Sequence, residues 1–218
     1  MAFSRSRALA PLRRERRERH APADESFSWF VALPRGIRHA AVAGLGAFSP
    51  GVVLDVGCGT GRLFRHLEEA GGPRCRIVGI DQSAAALEQA SSRCVRHGWS
   101  NIALVHGDAL NSPLPETIAG AIFNVSYWSM ERRREILARV CARLQPGGRV
   151  VIMDAKTPSG AISRVVSAGL RRFGALADAP EPSATAPWSD MASLGLTVEL
   201  QNWGFGSYFV AVGVNDKP

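Results

Sequence analysis

Lysine is nearly missing from this chain: Lys156 and Lys217 are the only two among 218 residues. Arginine supplies almost all the positive charge, so arginine density alone does not mark a phosphate-binding surface. Cysteine is scarce too. Cys58, Cys75, Cys94 and Cys141 include no Cys-x-x-Cys pair and form no cluster of ligands in the sequence. That argues against a disulfide framework and a metal site, and leaves the thiols as buried or loop groups in a reducing compartment. No apolar run approaches the ~20 residues needed to cross a bilayer. The N-terminus carries arginines without the apolar stretch and cleavage pattern of a secretory signal. A cytoplasmic protein without a transmembrane segment is expected.

What is present is unevenly spread. The formal charge is +7, and residues 1–20 hold +5 of it through seven arginines and two glutamates. Within them "RRERRERH" is charged all round, with no apolar stripe to dock on a core. Residues 1–25 therefore read as a basic, poorly ordered tail, of the kind that can meet RNA, acidic lipid or an anionic partner. Residues 26–218 read as one domain, because 46% of the chain is apolar, enough for a substantial core.

Along that domain, branched apolar runs alternate with helical spacing. "GIRHAAVAGLGAF" places Ile37, Ala41, Leu45 and Phe48 on one helix face. "VVLDV" (52–56) reads as a strand buried on both faces, and "RIVGID" (76–81), "IALVHGD" (102–108), "AGAIFNVSY" (119–127) and "RVVIMDA" (149–155) read as further strands. Helices are expected from Thr60 to about Ala70, after a Ser83 cap with Leu87, Ala90, Cys94 and Val95 on one face, and over "ERRREILARVCARL". The last helix should bury Ile136, Leu137, Val140, Cys141 and Leu144 and end at Pro146-Gly147-Gly148. "LTVELQNWGF" and "SYFVAVGV" close the chain as two strands whose short turn forces an antiparallel pair. The fold class is thus α/β: a doubly wound, Rossmann-like sheet with helices on both faces and an antiparallel finish.

In such a sheet ligands lie beyond the C-terminal strand ends. "VLDVGCGTGRL" leaves the first strand there, with Gly57 and Gly59 letting backbone pass beneath a ligand and Gly61 letting the helix start close by. The spacing is one residue short of the dinucleotide fingerprint, which counts against a nicotinamide enzyme. Asp55, just ahead of the loop, suits a ligand with a cation as well as a carboxylate. Asp81, 20 residues past Gly61, can accept from ribose hydroxyls, and Asp108 from an amino group such as that of adenine. Amino acid, ribose and adenine in that order are the layout of S-adenosylmethionine.

"VLDVGCGTGRL", "GID", "GDA" and "LQPGGRVVIMD" resemble, motif by motif, the class I S-adenosylmethionine-dependent methyltransferases, over roughly residues 37–155 and the antiparallel finish. The resemblance implies seven strands, and cofactor contacts at Asp55, Gly57, Cys58, Gly59, Gly61, Asp81, Gln82, Asp108, Ala109 and Asn124, with S-adenosylhomocysteine as product. It also implies an acceptor approaching over the fourth strand. There Asn124 and Tyr127 form an N-x-x-Y similar to the motif of amine-methylating members, and are the candidate substrate-positioning residues; the motif's prolines are missing here. Residues 155–190 are expected to form a lid: "AISRVVSAGLRRF" is a basic amphipathic helix, and Trp188 closes a mobile loop over the site. "SYWSM" looks like bacterial enzymes acting on small molecules or lipid head groups, so nitrogen or oxygen of such a molecule is the expected acceptor. The alternatives are an RNA methyltransferase using the basic tail, another group transfer from the same cofactor, and a non-catalytic binding module.

Overall fold

The computed structural model describes residues 33–34, 36–156 and 186–217. The expected tail and most of the expected lid lie outside these. Among the described residues no helix is long and apolar enough to cross a membrane.

Seven strands form one sheet: β1 (Gly51–Val56), β2 (Cys75–Asp81), β3 (Ile102–His106), β4 (Ile118–Asn124), β5 (Leu144–Ala155), β6 (Thr197–Trp203) and β7 (Tyr208–Val214). Their order is β3-β2-β1-β4-β5-β7-β6. The β2·β1, β3·β2, β1·β4 and β4·β5 pairs are parallel, and β7 runs antiparallel to both β5 and β6. The chain winds outward from β1 to β3 and then returns to the other side of β1, so the switch point falls between β1 and β4. The expected sheet class and antiparallel finish are found.

Two cores sit on the two faces, as strand alternation requires. Val53, Ile77 and Val151 face Phe64 and Leu67 of α2 (Phe64–Gly71), together with Ile37 of α1 (Ile37–Gly44) and Ala90 of α3 (Ala84–His97). Leu54, Ile80 and Ile152 face Leu137 and Val140 of α4 (Arg133–Cys141) and Met191 of α5 (Pro187–Ser193). Each fully buried aliphatic of this kind contributes about 1.5–3 kcal/mol.

Several boundaries move from their expected places, each for a local reason. α2 starts at Phe64 rather than Thr60, because Gly61 takes φ +71° and holds residues 60–63 in turns. β4 stops at Asn124 because Val125 has φ +55°, outside extended backbone. α4 ends at Cys141, and Leu144 with the Pro146-Gly147-Gly148 segment belongs to β5 instead. Asn215 makes that possible: its amide donates to the carbonyls of Leu144 and Gln145, both at 3.1 Å. Ser83 caps α3 as expected, its hydroxyl accepting from Ala86 N–H at 3.2 Å. Val95, one residue and about 100° beyond the buried Cys94, is 81% exposed rather than buried.

Candidate cofactor and acceptor site

The turn after β1 is tied to the end of β2. Gly57 and Cys58 N–H both donate to the Ile80 carbonyl, at 2.8 and 3.1 Å. The Asp81 carboxylate then takes Gly59 N–H on one oxygen at 2.7 Å and Ser83 N–H on the other at 2.9 Å. A single side chain thereby fixes the glycine loop and the entrance to α3. Gly59 has φ +53° and no atom within 4 Å of where a Cβ would stand, so it borders open space. Gly57 is glycine for a different reason: a Cβ there would lie 2.6 Å from that of Ser126. Ser126 donates through its hydroxyl to the Val56 carbonyl at 2.6 Å, clamping the ends of β1 and β4 together.

Asp55 is the electrostatic anomaly. It is 1% exposed, and neither carboxylate oxygen has a hydrogen-bond partner. Burial first, and the charge of Asp81 second, push it up to about 8. An unpartnered buried carboxylate is costly, and a ligand ammonium would satisfy it. Glycine loop, Asp81 and Asp55 therefore fit S-adenosylmethionine, whose amino-acid end carries a cation beside its carboxylate.

The remaining cofactor candidates line the same end of the sheet. Asp108, in the turn after β3, accepts from Leu110 N–H at 2.9 Å. Ala109 is buried, and its carbonyl accepts from Arg139 at 2.5 Å, anchoring that turn to α4. Gln82 is exposed, and His106 Nε2 donates to its carbonyl at 3.0 Å. The Cys58 thiol is buried, which raises it and leaves it a protonated packing group. Asn124 ends β4 with its Oδ1 buried and unpartnered, a second polar atom awaiting a donor.

Tyr127 is placed differently from the expectation. Its ring is 0% exposed and packs edge-on against Phe123 at 5.5 Å. Its hydroxyl donates to Asp190 Oδ2 at 2.9 Å, and Arg134 Nε donates to Asp190 Oδ1 at 2.6 Å. Burial and the Asp190 carboxylate both raise the phenol. This ring is core, not a surface for an acceptor. Trp188 is likewise not at a loop tip: it sits in α5, packed against Phe209 at 5.2 Å.

Trp128 and Asp154 complete the β4–β5 corner. Trp128 Nε1 donates to the Ala155 carbonyl at 3.1 Å, and the Arg133 guanidinium lies 5.1 Å from its ring centre. Asp154 is buried and accepts from Ala155 N–H at 2.8 Å and Trp128 N–H at 3.4 Å. Burial pushes it up to about 6, with those backbone donors working in the opposite direction. Ser126, Asp190 and Asn202 also contribute, although no local sequence pattern marks them. Their partners lie far away along the chain.

Residues 53–148 match the family model described as "Methyltransferase domain". The chain is 34% identical over 152 residues to a demethylmenaquinone methyltransferase of Deinococcus radiodurans, covering 67% of this chain and 62% of that protein. It is 33% identical over 105 residues to a malonyl-[acyl-carrier protein] O-methyltransferase of Xylella fastidiosa, covering 48% of this chain and 35% of that protein. The chain spans about half the length of the curated relatives it matches. Among solved structures, a SAM-dependent methyltransferase from Aquifex aeolicus superposes with a TM-score of 0.64 at 16% identity, over 89% of this chain and 100% of that one. With the strand order and the β1 loop already in place, these matches identify residues 53–148 as a methyltransferase domain on the fold shared with S-adenosylmethionine-dependent methyltransferases.

Proposed function

We propose that this chain transfers a methyl group from S-adenosylmethionine to an oxygen or nitrogen of a small molecule or lipid head group. The observation that carries the reading is Asp55: a fully buried carboxylate without a partner, at the mouth of a loop bordered by open space. The malonyl-[acyl-carrier protein] relative, named an O-methyltransferase, supports oxygen as the acceptor atom. The arginine-rich segment on which an RNA acceptor would depend lies outside the described residues.

When bound, the cofactor supplies an electrophilic methyl group on a sulfonium whose thioether leaves readily. The protein's task is then mainly orientation, which can lower such a barrier by about 7–11 kcal/mol. Asp55 would take the amino group, Asp81 the ribose hydroxyls and Asp108 the adenine amine. The acceptor would enter over Asn124 and the end of β4, where the buried Oδ1 can accept its proton-bearing group. A general base is needed only for an acceptor that arrives protonated.

The raised Asp55 provides the test. Near pH 7 much of it is protonated in the free protein, since its pKa is about 8. A ligand cation lowers that pKa, so uptake releases a proton and affinity rises with pH until about 8, then levels. Isothermal titration with S-adenosylhomocysteine at pH 6, 7 and 8 should show this slope. Asp55→Asn should remove the slope and weaken binding about 10- to 100-fold, the equivalent of one charge-assisted hydrogen bond. Wild-type protein that takes up neither the donor nor S-adenosylhomocysteine would end the proposal.

A further inference from the structure

Lys156 follows the last residue of β5, and its backbone N–H donates to the Ser207 carbonyl at 2.9 Å. Its ammonium lies 5.3 Å from the centre of the Trp188 ring and donates to Asn202 Oδ1. Trp188 is itself held edge-on to Phe209, so the cation rests on a fixed aromatic wall. Among the described residues no carboxylate forms an ion pair with Lys156, and burial alone draws its amine below the usual lysine range. Asp154, two residues back, directs both carboxylate oxygens at backbone donors of Trp128 and Ala155. A partly buried ammonium with an amide oxygen and an indole face as its neighbours has donor capacity left over.

The position matters as much as the charge. Lys156 is at the same end of the sheet as the glycine loop, two strands from β1 in the order β1-β4-β5. At about 4.8 Å per strand the end of β5 is roughly 10 Å to the side of β1, and the ammonium, held by Asn202 of β6, lies farther out on the β7–β6 side. The candidate cofactor groups occupy the ends of β1, β2 and β3, so an acceptor must come from the β4–β5 side. Trp128, hydrogen-bonded to Ala155, supplies a second indole on that side.

We infer that Lys156, seated on Trp188 and steadied by Asn202, recognises the acidic oxygen of a planar anionic acceptor, a carboxylate or phenolate on a flat ring system. This rests on the methyltransferase reading and narrows its acceptor class.

The probes are 3-hydroxy-2-naphthoate, a flat carboxylate, and 2-naphthol, its neutral counterpart at pH 7.5. Both are titrated calorimetrically into protein saturated with S-adenosylhomocysteine. The naphthoate should bind at least ~10-fold more tightly than the naphthol, as expected for one charge-assisted contact. Lys156→Met should bring it down to the level of the naphthol, and Lys156→Arg should restore part of the difference. Affinity for S-adenosylhomocysteine should stay within about twofold throughout, which also reports intact folding. The inference is overturned if wild-type protein binds the two probes equally or binds neither, or if Lys156→Met leaves their difference intact. Failure of the underlying reading looks different: the wild-type protein would then not take up S-adenosylhomocysteine.

Discussion

At the ends of β1, β2 and β3, each candidate cofactor group comes from the end of its own strand or from the turn that directly follows it. At the ends of β4 and β5, side chains meet from far apart in sequence: Trp128 and Ala155 across 27 residues, Lys156 and Asn202 across 46, Tyr127 and Asp190 across 63. One half of this edge is thus local and the other is tertiary. The local half holds Asp55, a buried carboxylate left for a ligand to partner. The tertiary half ties most of its polar groups to one another and leaves a cation on an aromatic wall. A shared donor can be served by short motifs on any chain of this fold, whereas an acceptor pocket has to be assembled by the whole domain.

Removing Asp81 should separate the two halves most sharply. Asp81→Ala deletes the expected ribose acceptor and also the anchor for Gly59 and Ser83 N–H. Without those two charge-assisted hydrogen bonds, S-adenosylhomocysteine affinity should fall about 100-fold or more by titration calorimetry. The acceptor half has no bond to this carboxylate, so the Trp128 and Lys156 contacts should persist. Unchanged affinity would mean the ribose lies elsewhere and the local half is misassigned.

This division also explains what the sequence disclosed. The strands followed from alternating apolar runs, and the loop and its acidic followers could be read because the spacing of Asp55, Gly59 and Asp81 is set within one βαβ unit. Even there the reason for Gly57 was hidden, since the atom that excludes a side chain belongs to Ser126, just past β4. Tyr127 illustrates the harder case. Its motif invited a substrate role, but its burial depends on Asp190 in α5, and nothing near Tyr127 announces that partner. The boundary of β5 was hidden for the same reason: Asn215, which extends it back to Leu144, is 71 residues away.

Tyr127→Phe tests whether that half is core rather than contact surface. It deprives the buried Asp190 of one donor while leaving the Arg134 contact. A hydrogen bond to a charged group is worth about 1.5–3 kcal/mol, so thermal unfolding should begin several degrees lower. Cofactor affinity should stay within about twofold. Full stability together with a raised KM for an acceptor would instead return Tyr127 to the substrate.

The smallest effect is expected at Val125, on the border between the halves. It has φ +55°, a conformation that a β-branched residue adopts only under strain, and its side chain is 42% exposed beside the end of β4. Strain of this type costs about 1–3 kcal/mol, whereas glycine costs about 0.5–1 kcal/mol in unfolded-state freedom. Val125→Gly should therefore stabilise the domain by about 1 kcal/mol, visible as a modest rise in Tm. The N–H at position 125 would keep its bond to the Met153 carbonyl at 2.8 Å, so the β4–β5 pairing should not change. A protein that retains a strained, exposed branched side chain at the entrance to a site gains something from its shape. Weaker acceptor binding in the more stable variant would show that Val125 forms part of the acceptor wall. A more stable variant with unaltered acceptor binding would move the border of that wall to Trp128 and Lys156.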